Sequence, residues 1–438
     1  MRQLNVAIIG GGTVGSGVYK ALRRNGTLMA ARIGARLRVN HVTVRDQKKQ
    51  RSVRFDQKIV STDWKAAIRD PKTDIVVELI GGTKTAKQIV ELALKLGKPV
   101  ITANKALLSE HGEALFALAA DNQTGLYYEA SVAGGIPIIK ALRESLVGNR
   151  FNQIYGILNG TCNYILTRME AEGGQFGDVL KDAQEKGYAE AEESLDVDGF
   201  DAMHKTGLIA SLAHGFWVKP GSIHVEGIRE ISTLDIEFAA ALGYKIKLLA
   251  TIYPTSNRSS KTPQVQVSVC PTLIPQTHVL ASVSGVFNAV YVNGDVSGET
   301  LYYGQGAGQD ATASAVLSDI ADATLDLLNH KTIRVAPFVA HTKNAEMLPW
   351  EDVISEYYMR LKVVDKPGTM AKIATVLAKS GIGISSIVQP EGHEGNTVPL
   401  ILMIHDATTR SMQKALTKIS QLSVVKATPR MIRVEHFH

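Results

Sequence analysis

The chain opens on a short apolar run, Val6-Ala7-Ile8-Ile9, followed without a gap by Gly10-Gly11-Gly12-Thr13-Val14-Gly15. An uninterrupted apolar stretch bounded by glycine predicts a strand buried on both faces, as in a parallel sheet. The apolar positions then take helical spacing, with Val14, Val18, Ala21 and Leu22 on one face. This alternation recurs. Residues 37–44 read as a second strand ending at Arg45-Asp46, and residues 74–80 as a third ending in Gly81-Gly82. A helix over 85–96 closes at Gly97-Lys98-Pro99, and a strand over 100–103 ends in Asn104-Lys105. A helix over 112–121 and a strand over 125–130 complete the series. Strands separated by helices of this length predict a doubly wound parallel sheet, whose ligands bind outside the carboxyl ends of the strands.

The pattern changes after residue 130. Gly134-Gly135-Ile136-Pro137 opens a helix, residues 151–158 form a strand, and Asn159-Gly160-Thr161 is a polar turn. Helices continue to about residue 213, and residues 223–228, 245–253, 265–269 and 289–292 then read as strands of a second sheet. Gly304-Gln305-Gly306-Ala307-Gly308 precedes an Ala-rich helix over 311–328, expected to pack back on the first sheet. Residues 331–353 lack periodicity and read as a linker. Beyond it, the order strand, helix, strand, strand, helix, strand is the ferredoxin-like βαββαβ arrangement. The expected fold class is therefore α/β: a Rossmann-type sheet, a mixed α/β substrate domain and a C-terminal βαββαβ domain. The boundaries are residues 1–130 (completed by 305–330), 131–304, the linker 331–353, and 354–434.

With 438 residues, several domains can each bury a core, and 45% apolar and 21% charged residues are ordinary for a globular protein. The formal net charge of +6 is scattered rather than concentrated, so neither nucleic acid nor a membrane surface is implied. No apolar run approaches the roughly 18 residues of a membrane-spanning helix, and no signal peptide precedes the first strand. Cys162 and Cys270 have neither metal-ligand spacing nor a disulfide framework, which fits a reducing, cytoplasmic setting.

The chemistry starts at the glycines. In Gly10-x-Gly12-x-x-Gly15, between a strand and a helix, one glycine makes the tight turn, one admits a pyrophosphate and one lets helix pack on strand. The helix N-terminus adds amide donors and the positive dipole end. Arg45, at the end of the second strand with Arg36, Arg38, Lys48, Lys49 and Arg51 nearby, favours the 2′-phosphate of NADP(H) over the ribose of NAD(H). Asp46 beside it is the type of residue that holds the ribose 2′-hydroxyl of NAD(H), and a solvated basic loop is the plainer alternative. Further along, Asp201 and Lys205 stand four apart, on one helical face. They are either a surface ion pair or, because Leu208, Ile209 and Leu212 carry the helix into a core, a pair at the mouth of a cleft suited to proton transfer.

Five motifs together resemble one family. They are Gly10-x-Gly12-Thr13-Val14-Gly15, Thr102-Ala103-Asn104-Lys105, the run from Glu129 through Pro137, Asn159-Gly160-Thr161-Cys162-Asn163-Tyr164-Ile165-Leu166, and Gly187-Tyr188-Ala189-Glu190 continuing to Asp201-x-x-x-Lys205. Over its whole length the chain resembles the homoserine dehydrogenases of the monofunctional bacterial kind, which carry a C-terminal ACT regulatory domain. The resemblance implies reversible, NADP(H)-preferring reduction of L-aspartate 4-semialdehyde to L-homoserine, in threonine, methionine and isoleucine biosynthesis. It implies Lys205 as general acid/base, Asp201 as the residue that orients it, and Gly187, Glu190 and Lys105 at the substrate. Cofactor contacts would come from Gly10, Gly12, Thr13, Val14, Gly15, Arg45, Lys105 and Gly306. A structural Na+ would be held by Glu129 with backbone carbonyls of Val132, Gly134 and Ile136, although Glu129 on its own also reads as an N-terminal helix charge. A homodimer or homotetramer is implied, with L-threonine as effector of the ACT domain.

Other readings make different demands. Another NADP-dependent dehydrogenase of a small amino-acid aldehyde would share most of these residues. A non-enzymatic amino-acid sensor would not be expected to keep Lys205, Asp201 and Glu190 together. Cys162 as a thioester-forming nucleophile would need an activating histidine, and none adjoins it. No kinase segment accompanies the chain, so a fused aspartokinase is not expected.

Overall fold

The computed structural model describes residues 1–189, 192–255, 262–329, 333–390 and 397–437. Strand and helix alternate through β1 (Arg2–Ile9), α1 (Thr13–Ile33), β2 (Ala35–Thr43), β3 (Val60–Ser61), α2 (Trp64–Arg69), β4 (Ile75–Glu78), α3 (Lys84–Lys95), β5 (Val100–Thr102), α4 (Lys105–Asp121) and β6 (Leu126–Tyr127). The sheet order is β3-β2-β1-β4-β5-β6 and every neighbouring pair is parallel. The order reverses between β1 and β4, which is where a parallel sheet opens a crevice at its carboxyl edge. Gly10 follows β1 there, and Leu79 to Gly82 follow β4.

The chain forms two compact units, one of Met1–Gly160, Asp201–Ile223 and Val286–Ala345, the other of Thr161–Phe200, His224–Gly285 and Glu346–His438. In the first, the helix Gln309–Leu328 lies on the parallel sheet, its Ala313, Val316 and Ile320 packed with Val6, Ile8 and Val77 in one core. Strands Phe151–Ile157, Phe287–Gly294 and Gly298–Gln305 form an antiparallel ribbon in the same unit. In the second, Tyr244–Thr255 and Gln264–Pro275 pair antiparallel, and Gln264–Pro275 pairs in parallel with Arg430–Val434. That last strand closes a βαββαβ run of Ile354–Val364, Thr369–Lys379, Ile384–Val388, Thr397–Thr408, Thr409–Ser420 and Arg430–Val434. Its helices bury Ile373, Leu377, Met412 and Ile419 against Tyr357, Met359, Leu400 and Leu402.

Several elements begin elsewhere than the hydrophobic pattern indicates. Helix α4 starts at Lys105 instead of 112, because the Asn104 side chain accepts from the Leu107 amide and caps it. The expected polar turn at 159–161 is already helical from Gly160. The expected strand over 125–130 is paired only at Leu126–Tyr127 before a 3-10 turn at Glu129–Ser131. The strand Gly298–Gln305 alternates exposed and half-buried positions and was hidden by its glycines. The last strand, which the apolar pattern predicts over 424–434 with a break at Pro429, begins only after that proline, at Arg430. Within the expected linker, Glu346–Met347 pairs with Gln264 and Val265. Among the described residues no helix is long and apolar enough to cross a membrane.

One buried ion pair fastens the βαββαβ run to the rest of the second unit. Asp235 closes a capping box with Ser232 at the start of the helix Thr233–Ala241. It also accepts from Arg360 Nε at 2.6 Å, Arg360 Nη2 at 3.0 Å and the Tyr358 hydroxyl at 3.1 Å. Burial works to raise this carboxyl, but hydrogen bonds from Arg360 and Ser232 outweigh it and hold it below its ordinary value. Removing a single partner of a buried pair strands the other charge, so Asp235→Ala should cost about 3 kcal/mol. Urea unfolding should show an earlier transition, with Asp235→Asn intermediate because it keeps part of the cap.

Candidate functional site

A cavity of about 1380 Å3 opens at the carboxyl edge of the parallel sheet. Gly10, Gly11, Gly12 and Thr13 line it, with Arg45, Asp46, Arg51, Gly81, Gly82 and Gln309. The glycines are sterically required. A Cβ on Gly10, whose φ is +118°, would sit 2.5 Å from the Leu79 carbonyl oxygen, and one on Gly15 would sit 2.1 Å from that of Gly10. Helix α1 begins beside the cavity with Gly12 as its N-cap and no side chain on its first amides, an arrangement suited to a phosphate. Arg45 is exposed and lines the cavity. Arg51 folds over the loop, its Nε donating to the Gly11 carbonyl at 2.9 Å and its Nη1 to that of Lys49 at 2.7 Å. Of the cofactor residues named above, Val14, Gly15, Lys105 and Gly306 are not among the residues lining this cavity. Val14 packs against the core of the sheet, and Gly306 faces Asn288, whose amide nitrogen would be 2.0 Å from a Cβ there.

The Asp201–Lys205 pair is a buried cluster, not a surface pair. Asp201 stands in the first turn of the helix Phe200–His214, where the dipole favours a negative charge. The two residues are 9% and 8% exposed. Lys205 Nζ donates to Asp201 Oδ2 at 2.6 Å and to the Leu158 carbonyl at 2.8 Å. Asn159 Nδ2 reaches the same carboxylate oxygen at 2.9 Å, and Lys105 Nζ lies 3.0 Å from Oδ1. Burial acts to raise the Asp201 carboxyl, but the charges and hydrogen bonds of Lys205 and Lys105 prevail and hold it well below the carboxylate range. One ionised carboxylate therefore grips two ammonium groups, and such a group can present a proton to an oxygen in a fixed direction.

Three side chains in this region carry little sequence signal as separate residues. Asn159 closes the cluster from the end of the strand Phe151–Ile157. Arg51 was one basic residue in a basic loop. Glu78 was a lone carboxylate inside Ile75-Val76-Val77-Glu78, a position that demands partners once the strand is buried.

Glu129 is buried, and its carboxylate accepts from the amides of Ile139 at 2.9 Å and Lys140 at 2.8 Å. It thus caps the turn after Pro137. Burial raises this carboxyl to about 7 against those hydrogen bonds. Ala133 and Gly134 both take φ of +54°, turning the backbone sharply. Val132, Gly134 and Ile136 are buried, and the Ile136 carbonyl accepts from the Ile138 amide at 2.8 Å. Carboxylate and backbone carbonyl oxygens are the ligand type that a hard cation takes.

In the second unit, Gly187 takes φ of +74° after the helix Phe176–Glu185, and Glu190 lies outside the described residues. Thr161 donates to the Tyr188 carbonyl at 2.7 Å. Cys162 is fully buried in the first turn of its helix, with its thiol donating to the Asp196 carbonyl at 3.2 Å. That thiol is not presented as a nucleophile.

The comparisons with known proteins agree with this geometry. The family model described as homoserine dehydrogenase, NAD binding domain, matches residues 10–129, and that described as homoserine dehydrogenase matches residues 137–321. The homoserine dehydrogenase of Neisseria gonorrhoeae is 39% identical over 442 residues, covering 100% of both chains. That of Pseudomonas aeruginosa is 40% identical over 443 residues, again covering 100% of both. The crystal structure of a homoserine dehydrogenase from Thiobacillus denitrificans superposes with a TM-score of 0.92 at 39% identity, covering 100% of this chain and 99% of that one. With both halves of the glycine cleft and the lysine–carboxylate cluster in place, the chain belongs to the homoserine dehydrogenase family, oxidoreductases with a nicotinamide-binding domain.

Proposed function

We propose that the chain reduces L-aspartate 4-semialdehyde reversibly to L-homoserine with NADP(H) in preference to NAD(H), in the biosynthesis of threonine, methionine and isoleucine. The observation that carries this reading is the buried Asp201 carboxylate holding Lys205 and Lys105 together. When bound, the reduced nicotinamide supplies a hydride to the carbonyl carbon. Lys205 gives a proton to the carbonyl oxygen as negative charge develops there, so that no free alkoxide forms. Asp201 keeps that ammonium aimed, and Lys105 stands ready to hold the substrate or cofactor. By the family resemblance, Gly187 and Glu190 hold the amino-acid end, where a carboxylate complements the α-ammonium. Gly15 shapes the cofactor loop, where a side chain would meet the Gly10 carbonyl, and by the family resemblance Val14 and Gly306 contact the cofactor. Lys205→Ala should lower kcat by about 100-fold or more while leaving the fold intact. Stopped-flow or steady-state oxidation of NADPH with the semialdehyde measures this; near-normal turnover would remove Lys205 from the chemistry.

Arg45, exposed at the cavity, is assigned to the 2′-phosphate. Arg45→Ala should raise KM for NADPH far more than KM for NADH. Equal weakening of both cofactors, or a wild type that favours NADH, would contradict the assignment.

The turn at 129–136 would hold Na+ through the carbonyls of Val132 and Gly134, with Glu129 and Ile136 completing the oxygen shell. Its role would be structural. The working division is a cofactor domain (1–130 with 305–330), a substrate domain (131–304), a linker (331–353) and an ACT regulatory domain (354–434), in a cytoplasmic homodimer or homotetramer.

For the ACT domain the effector would be L-threonine, near Asp365 to Gly368 and the Gly381-Ile382-Gly383 loop. Gly368 and Gly381 take φ of +86° and +70°, and Gly368 leaves the first amides of the helix Thr369–Lys379 without a side-chain cap. These amides suit an amino-acid carboxylate, and Asp365 its ammonium group. The effector inhibits only by binding active and inactive arrangements unequally. Asp365→Ala should keep uninhibited turnover within about twofold and abolish inhibition by threonine. Inhibition retained in that variant would place the effector elsewhere, and a wild type indifferent to threonine would leave only an oligomerising role.

A further inference from the structure

Glu78 has no part in the chemistry described so far, yet it is fully buried at the carboxyl end of β4. Its strand lies at the switch point of the sheet, and its register sets it between two functional segments. Across β1 it pairs with Ile9, which precedes Gly10, and across β5 with Thr102, which precedes Asn104-Lys105. A carboxylate there must be compensated by donors. Burial pushes its carboxyl up, and hydrogen bonds from Thr102 and the backbone after the strand oppose that shift.

Those donors form a closed ring. Glu78 Oε1 accepts from the Ile80 amide at 2.8 Å, and Oε2 accepts from the Thr102 hydroxyl at 2.7 Å. The Thr102 oxygen in turn accepts from the Asn104 amide at 3.0 Å. Asn104 Nδ2 donates to the Gly82 carbonyl at 2.6 Å, while its Oδ1 accepts from Leu107 at 3.1 Å and starts α4. The short chain from Ile80 to Gly82 completes the circuit. Gly81 and Gly82 take φ of +71° and +68°, so this segment is intrinsically free and needs an outside restraint. On one side the ring shapes Ile80, Gly81 and Gly82, which line the cofactor cavity. On the other it sets the first residue of α4, Lys105, whose Nζ lies 3.0 Å from Asp201.

We propose that Glu78 is a positioning residue for the dehydrogenase reaction: through Thr102 and Asn104 it fixes the Ile80–Gly82 wall of the cofactor cleft and, in the same hydrogen-bonded ring, the placement of Lys105. The inference rests on the assignment of that cleft to NADP(H). Both ends of the ring face the reaction, so loosening it affects cofactor affinity and turnover together.

The test compares Glu78→Ala, Glu78→Gln, Thr102→Val and the Glu78→Ala/Thr102→Val double variant in the full-length enzyme. NADPH dissociation is read by fluorescence and turnover with aspartate semialdehyde, beside thermal unfolding. Glu78→Ala and Thr102→Val should each weaken NADPH binding and lower kcat/KM by about 10-fold, the scale set by a buried donor left unsatisfied. The double variant should be no worse than about the weaker single, because both changes open the same ring. Glu78→Gln keeps one acceptor oxygen and should recover most of the loss. A folded Glu78→Ala enzyme with wild-type dissociation constant and turnover overturns the proposal, as do losses that multiply in the double variant. A merely structural residue would lower the melting temperature without changing NADPH affinity of the folded enzyme. If Glu78→Ala does not fold, Thr102→Val decides alone, and wild-type kinetics in it overturn the ring. A wild type that fails to bind NADPH sinks the cofactor assignment instead, which keeps the two failures apart.

Discussion

A single carboxylate organises the lysine cluster. Asp201 is buried, and an ionised group in that position is tolerable only if donors replace the water it has lost. It receives Lys205 from the next turn of its own helix, Asn159 from the end of a strand, and Lys105 from the start of α4. Three separate parts of the chain are thus held at one point by one charge. The same contact that satisfies Asp201 restrains both lysines, so stability and orientation have a common cause. Lys205 is held further by the Leu158 carbonyl, which leaves its ammonium little freedom to turn away.

At the carboxyl edge of the parallel sheet backbone geometry dominates. Gly10 and Gly15 permit approaches of the chain to itself that any side chain would block. This closeness exposes the start of α1 to the cavity and leaves amide donors for a phosphate. Arg51 reinforces the loop by donating to its carbonyls, which adds positive charge beside Arg45. Buried polar groups recur along this edge: Glu78 with Thr102, and Asp319, which accepts from the Glu129 amide at 2.9 Å. Burial pushes the Asp319 carboxyl well up, with the neighbouring Glu129 and Asp322 acting in the same direction.

The C-terminal βαββαβ run is joined to the rest of its unit by more than chain connectivity. Its last strand extends the pairing of Gln264–Pro275, and Arg360 and Tyr358 converge on Asp235. These are the contacts through which a change in the run would reach the helix Thr233–Ala241.

Much of this was legible in the sequence where the physics is local. Short, mostly apolar runs marked β1, β4 and β5, because a strand covered on both faces has little room for polar side chains without buried partners. The glycine spacing marked the tight turn that lines the cavity after β1, and the four-residue step from Asp201 to Lys205 put both on one helical face. Element starts were less legible. Nothing in the apolar pattern said that the Asn104 side chain would begin α4 seven residues early, or that Gly160 would already be helical. Whether Asp201–Lys205 was a surface pair or a buried cluster was likewise undecidable from spacing. Tertiary structure decided it by bringing Lys105 and Asn159, 96 and 42 positions away in the chain, onto the same carboxylate. Glu78 makes the same point: a charge within an apolar strand announces a need for partners, and while the Ile80 amide lies two residues on, only the register of the neighbouring strand supplies Thr102. Periodicity reports which face of an element is buried, but the identity of what meets that face is a property of the folded chain.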